Sequence, residues 1–204
     1  KRVGVIRVSE FSDLFNAAAV LDSKYLPRGG RLAIVTNAGG FGVMATDTLV
    51  SLGGTLAELS DDTKDKLNAL LPPYWSKGNP IDILGDADSE CYAGAIKACL
   101  DDRNVDGVLV IYAPQAMLRP DFLAEAVVAL GKESAKPIIT SWVGGDFVES
   151  GRTVFLQNNI PTYESPEDAV RTYLHMYHYR RNLTLLYETP SELGVAEGPS
   201  NNHL

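Results

Sequence analysis

Little in this chain is equipped for covalent or metal chemistry. Its two cysteines, Cys91 and Cys99, fall eight positions apart in a helical stretch, ~12 Å along a helix axis, too far to pair with each other and without metal-site spacing. They read as buried thiols in a reducing cytoplasm. The histidines number three. His175 and His178 are three apart on the last expected helix, with no Cys, Asp or Glu at ligand spacing, so they read as packing among Tyr173, Tyr177 and Tyr179; His203 sits in the tail. There is no G-x-S-x-G, no H-E-x-x-H and no cysteine near a plausible base. The chain therefore offers no complete catalytic constellation and no metal site.

Positive charge is scarce too. The formal net charge is −8, and no basic cluster exists beyond Arg180-Arg181, which argues against a nucleic-acid surface. No run approaches the ~20 apolar residues of a membrane span, and no signal-peptide core opens the chain. The expectation is a soluble cytoplasmic protein with no membrane partner. The chain begins Lys-Arg and runs straight into VGVIRV, which we read as a domain excised from a longer polypeptide.

What the sequence has is alternation. LAIVTN (32–37) is a nearly all-apolar strand, followed by a helix from Gly40 to about Leu52 that stops at Gly53-Gly54. TLAELS (55–60) reads as the next strand, with Ser60 capping a helix over 61–71. NPIDILG (79–85) is a loop with a short strand, and Asp88 begins a helix to about Leu100. VDGVLVIY (105–112) and KPIITSW (136–142) are strands; helices follow over 120–130, with Pro at the first position, and over about 146–158. A short strand at 160–163 precedes a helix that starts at Ser165-Pro166-Glu167-Asp168 and reaches past Arg181. This order predicts an α/β fold: a three-layer, doubly wound parallel sheet with ligands gathered at the carboxyl ends of its strands. The division expected is an N-terminal helical segment at 1–26, the sheet domain at 27–164, a C-terminal helix at 165–188, and a linker or disordered tail at 189–204.

The segment 32–49, LAIVTNAGGFGVMATDTL, carries the strongest functional signal. Gly39, Gly40 and Gly42 allow a sharp turn and leave N–H groups uncovered at a helix N-terminus, where the dipole also favours an anion. A phosphate seat over Asn37, Ala38, Gly39, Gly40, Phe41 and Gly42 follows, and the loops after residues 37, 84 and 143 are expected to share its edge. Two other readings stand beside it. Gly40-x-Gly42-x-x-Ala45 with Glu58 fits a nicotinamide-dinucleotide site, and the glycines also fit a role confined to turn geometry and close packing. Asp82 could bind or orient a ligand, or cap its own turn.

TNAGGFGVMATD, NPIDILGDAD, VDGVLVIYAP and KPIITSWVGG, in this order and spacing, resemble the flavodoxin-like ligase domain of NDP-forming acyl-CoA synthetases, which is related to succinyl-CoA synthetase. The resemblance runs from about Val5 to Pro190. It implies that an acyl phosphate passes its phosphoryl group to a histidine on a mobile loop and then to ADP in an ATP-grasp domain. Coenzyme A and ATP or ADP with Mg would serve the parent enzyme. It also implies that the helix start at 37–42 holds the phosphohistidine, with Pro80, Asp82, Gly85, Gly144 and Gly145 as supporting neighbours. The resemblance implies that the phosphorylated histidine lies upstream of Val5 in a separate domain, so this chain would supply no catalytic residue. Partners would be the CoA-binding and ATP-grasp domains, with a homo-oligomer an added possibility. The ending YRRNLTLLYETPSEL resembles the connector to the ATP-grasp portion of fused forms, some of which carry a GNAT acetyltransferase; a noncatalytic regulatory module of such a fusion is the remaining alternative.

Overall fold

Strands without a polar face need cover on both sides. β1 (Arg31–Thr36) is buried at every position but its first, and β4 (Gly107–Tyr112) and β5 (Ile138–Trp142) are buried throughout. The computed structural model, which describes residues 26–115 and 118–187 together with Val8, residues 14–16 and Val20, supplies that cover. With β2 (Thr55–Leu56), β3 (Ile81–Asp82) and β6 (Thr162–Tyr163), these strands form a parallel sheet in the order β2-β1-β4-β5-β6, with β3 also on β1. Ala33 pairs with Val108, and Val110 with Thr140.

Helices α1 (Gly39–Ser51) and α6 (Pro166–Tyr187) cover one face; Ala45, Leu49, Val170, Tyr173 and Leu174 close over Leu32, Ile34, Leu109 and Ile111. The other face holds Ala33, Val35, Val108 and Val110. It is covered from α2 (Asp61–Leu70), α3 (Ser89–Asp101), α4 (Pro120–Glu133) and α5 (Glu149–Gln157) by Leu67, Ile96, Leu123, Val127 and Phe155. The expected three-layer, doubly wound arrangement is what the chain forms. Arg31 ties the start of β1 to the approach of β4: Nε donates to Asp106 Oδ2 at 2.8 Å, and a terminal guanidinium nitrogen to Oδ1 at 2.9 Å. Partial burial pushes the Asp106 carboxyl up, and the Arg31 bonds more than reverse it, so its pKa lies below the usual value.

Three local expectations are corrected. The strand expected at 55–60 pairs over two residues, because a side chain takes over the edge of β1 beyond Leu56. β2 pairs with Arg31 and Leu32, and β3 with Val35 and Thr36, on the same side of β1. The Asn79 amide fills the gap: Nδ2 donates to Leu32 O and Ala57 O, both at 2.9 Å, and Oδ1 accepts the Ile34 N–H at 2.9 Å. The helix expected from 146 opens as a 3-10 turn, Gly145–Val148, before α5. Cys91 is half-buried in the first turn of α3, under its Asp88 cap, while Cys99 is fully buried; both are free.

His178 packs against Tyr177 with ring centroids 5.4 Å apart. Among the described residues no three His, Cys, Asp or Glu side chains converge as metal ligands, and no helix is long and apolar enough to cross a membrane. Most of the N-terminal helical segment expected at 1–26, and the whole tail at 189–204, lie outside the described residues.

Asn79→Ala strips the acceptor from the Ile34 N–H and the Asn79 donor from Ala57 O, while Leu32 O keeps the Ala57 N–H. Each buried backbone group left unmatched costs about 1–3 kcal/mol, so the urea midpoint should fall by the equivalent of at least ~2 kcal/mol. An unchanged midpoint would show that Asn79 does not hold this edge.

Candidate functional site

The sheet changes winding direction between β1 and β4, because β2 and β3 lie to one side of β1 and β5 and β6 beyond β4. In open α/β sheets ligands bind at that point, outside the carboxyl ends of the strands. The chain leaves β1 there and starts α1 within three residues. Two side chains make the exit possible. Asn37, 4% exposed, donates from Nδ2 to Ala113 O and accepts the Ala113 N–H on Oδ1, both at 2.9 Å. It thereby extends the β1–β4 ladder past its last backbone pair, Thr36 with Ile111. The Thr36 hydroxyl donates to Ala38 O at 3.1 Å and accepts the Ala38 N–H at 3.0 Å.

These bonds decide which amides of the turn stay free. Ala38 O accepts from Phe41 N–H at 3.0 Å and Gly42 N–H at 3.3 Å. Ala38 sits at the N-cap, where an alanine has no oxygen to offer the first turn, and no acidic residue occupies that turn. The N–H groups of Gly39 and Gly40 are left without an acceptor among the described residues. Of the six residues at which a seat is expected, Asn37, Ala38, Gly39, Gly40, Phe41 and Gly42, two thus keep an unbonded N–H in the turn, Gly39 and Gly40. The Asn37 side chain, Ala38, Phe41 and Gly42 are engaged in building the turn.

The glycines have separate reasons. A Cβ on Gly40 would meet nothing within 4 Å, so this position is open to solvent. A Cβ on Gly42 would press on Thr36 Cγ2 at 3.1 Å and Pro80 Cβ at 3.2 Å, so its absence lets α1 lie close to β1 and to the loop before β3. On Gly39 it would fall 2.5 Å from Asp82 Oδ2.

The other expected neighbours reach the same edge. Gly85 lies against the Gln115 amide, 3.3 Å from a Cβ position to Nε2, and Gly144, at φ 154, lies against Pro114. Gly145 follows at φ 55, a left-handed conformation suited to glycine. The loops after β1, β3, β4 and β5 therefore meet one another, through Asn37 with Ala113, Gly39 with Asp82, Gly85 with Gln115, and Gly144 with Pro114. Beneath them Tyr92, fully buried, donates its hydroxyl to Ile111 O at 2.9 Å. Burial holds that hydroxyl well above the usual tyrosine pKa, against the pull of the Asn37 N–H, so it stays a neutral strut.

Thr36, Asn79 and Gln115 were not singled out by the sequence, although an Asn before Pro and a Thr just ahead of a glycine turn are local hydrogen-bonding signals. Glu58, the acid of the dinucleotide reading, is exposed beyond the end of β2. A cavity of about 760 Å³ lies elsewhere. It opens at the amino ends of β5 and β6, between Lys136, Pro137, Ile160 and Pro161.

Residues 32–187 match the Ligase-CoA domain family. The chain belongs to that family. This Ligase-CoA domain is similar to the alpha subunit of acetate-CoA ligase (ADP-forming) I of Pyrococcus furiosus, 34% identical over 89% of the chain and 39% of the relative. It is also similar to acetate-CoA ligase (ADP-forming) I of Archaeoglobus fulgidus, 37% identical over 84% of the chain and 24% of the relative. A solved structure of acetyl-coenzyme A synthetase 1 of Ca. Korarchaeum cryptofilum, in complex with phosphate and ADP, superposes with a TM-score of 0.83 at 30% identity, over 90% of this chain and 40% of that one. The chain thus spans well under half the length of these relatives.

Gly39→Ala and Gly40→Ala should separate. The first forces a methyl onto the Asp82 carboxylate and should lower stability by about 1–2 kcal/mol. The second enters open space in a helix and should leave stability unchanged or raise it by up to ~1 kcal/mol. Thermal unfolding of the pair tests the geometry, and equal melting temperatures would contradict it.

Proposed function

We propose that this Ligase-CoA domain receives a phosphoryl group on the N–H groups of Gly39 and Gly40 during an NDP-forming acyl-CoA synthetase reaction. The observation that carries the reading is the pair of unclaimed amides at the N-terminus of a 13-residue helix. Such donors point at the ligand, are backed by the helix dipole, and need no reorganisation when charge arrives. Losing one preorganised donor from a comparable oxyanion site costs about 3 kcal/mol. Family membership supports the reaction class, and the K. cryptofilum relative holding phosphate and ADP supports the ligand class.

In this reading the phosphoryl group travels from an acyl phosphate to a histidine and on to ADP, with coenzyme A accepting or releasing the acyl group. The chain's own part is narrow. Asn37 and Thr36 hold the turn, Gly39 and Gly40 donate to phosphoryl oxygens, and the loops carrying Gly85, Gly144 and Gly145 wall the edge. The histidine, the CoA site and the ATP-grasp site with its Mg would come from other domains of the same polypeptide or from a partner subunit. No residue of this chain acts as nucleophile in the scheme.

Titration of the ¹⁵N-labelled chain with millimolar inorganic phosphate tests the seat. The Gly39 and Gly40 amide signals should move with saturation, and those of Phe41 and Gly42 should move less. Amides at 39 and 40 that stay fixed would overturn the reading.

A further inference from the structure

Where β5 and β6 begin, the sheet stops separating its two helical layers. β6 pairs over two residues, Thr162 with Thr140 and Tyr163 with Ser141, and just before that pairing the chain passes through Pro137 and Pro161. Below this line Met176 comes from one layer, and Val128 and Ile160 come from the other, to face a common gap. That gap is the cavity of about 760 Å³. Its size falls in the range of sites for small organic ligands, and it lies at the opposite edge of the sheet from Gly39 and Gly40.

The walls are largely apolar, from Val128, Ile138, Leu156, Ile160 and Met176. The charged groups have one sign. Lys132 and Lys136 line the cavity, and no Asp or Glu among the described residues does, although the chain carries a net charge of −8. Lys136 is committed to the fold, because its Nζ donates to Asp102 O. Lys132 is exposed and forms no ion pair among the described residues. Asn158 donates its side-chain amide to Val154 O at 2.9 Å, whereas the amide of its neighbour Asn159, also on the cavity, has no partner among the described residues.

This combination selects by charge and by shape. A cationic ligand would meet two ammonium groups and no acid, and a bare inorganic anion would leave the apolar walls unfilled. A molecule with an apolar body and a single anionic head satisfies both. Its body leaves water against the walls, and its head meets a lysine that stays hydrated at the mouth, so neither charge has to be stripped of solvent. We propose that this cavity binds a small amphiphilic carboxylate, its body against Ile138, Ile160 and Met176 and its carboxylate toward Lys132 and the Asn159 amide. The site is independent of the phosphoryl seat. Its occupant would bridge α4 and α6 across the end of the sheet, and so stabilise the domain by mass action.

The test is a titration of the ¹⁵N-labelled chain with octanoate, octanamide, octylammonium and inorganic phosphate, reading the amides of Gly131, Ile138, Ile160 and Thr162. Octanoate should move these signals with saturation, bind about fivefold more tightly than octanamide, and raise the melting temperature. Octylammonium should bind more weakly than octanamide, and inorganic phosphate should leave these amides in place. Lys132→Met keeps an apolar stem at an exposed position and should abolish the preference for octanoate while octanamide binds as before. Leu156→Glu, at a position 66% exposed, puts an acid on the wall and should weaken octanoate by about fivefold or more. Equal binding of octanoate and octanamide by the native chain overturns the proposal, and so does a preference that survives Lys132→Met. Amides at this edge that respond to no probe also overturn it, whatever Gly39 and Gly40 do with phosphate.

Discussion

The exit from β1 is the constraint on which the rest depends. A parallel strand buried on both faces must become a helix within three residues, and every buried backbone group on the way needs a partner. Thr36 and Asn37 meet that need with side chains. One closes a local loop with Ala38, and the other continues the ladder to Ala113 after the backbone has turned away. Because those two side chains and Ala38 O satisfy the surrounding groups, the turn amides left over among the described residues are those of Gly39 and Gly40. The proposed seat is a by-product of how the turn is satisfied, made accessible by the missing side chains of Gly39 and Gly40.

A second amide side chain sets the opposite border. Asn79 substitutes for backbone where β2 has ended and β3 has not begun, and in doing so it fixes the loop that continues into Pro80 and Asp82. Pro80 then lies under Gly42 and Asp82 beside Gly39. The side chain that stabilises the sheet edge therefore also sets the loop that brings Asp82 beside Gly39.

Much of this was legible in the sequence, for physical reasons. Unbroken apolar runs such as VLVIY specify strands covered on both faces, and the glycine cluster after LAIVTN specifies a sharp strand-to-helix turn with exposed amides. The placing of Asp82, Gly85, Gly144 and Gly145 on one edge follows from the winding rule for parallel sheets. What stayed hidden depends on distant partners. Asn79 bonds to residues 22 to 47 positions away, and nothing in NPIDILG announces that its first residue stands in for a strand. Likewise, which two of the six expected residues keep an unbonded N–H is set by the Thr36 hydroxyl and Ala38 O, whose choices are made only once the turn is folded.

The most direct measurement is a crystal structure of the domain grown or soaked with inorganic phosphate at several concentrations. The account predicts phosphate density within 2.7–3.2 Å of the Gly39 and Gly40 nitrogens, the N–H···O range, appearing at the lowest concentration that shows any bound ion. Phosphate that instead settles first in the cavity beside Lys132 and Lys136, with the Gly39 and Gly40 amides left to water, would contradict it.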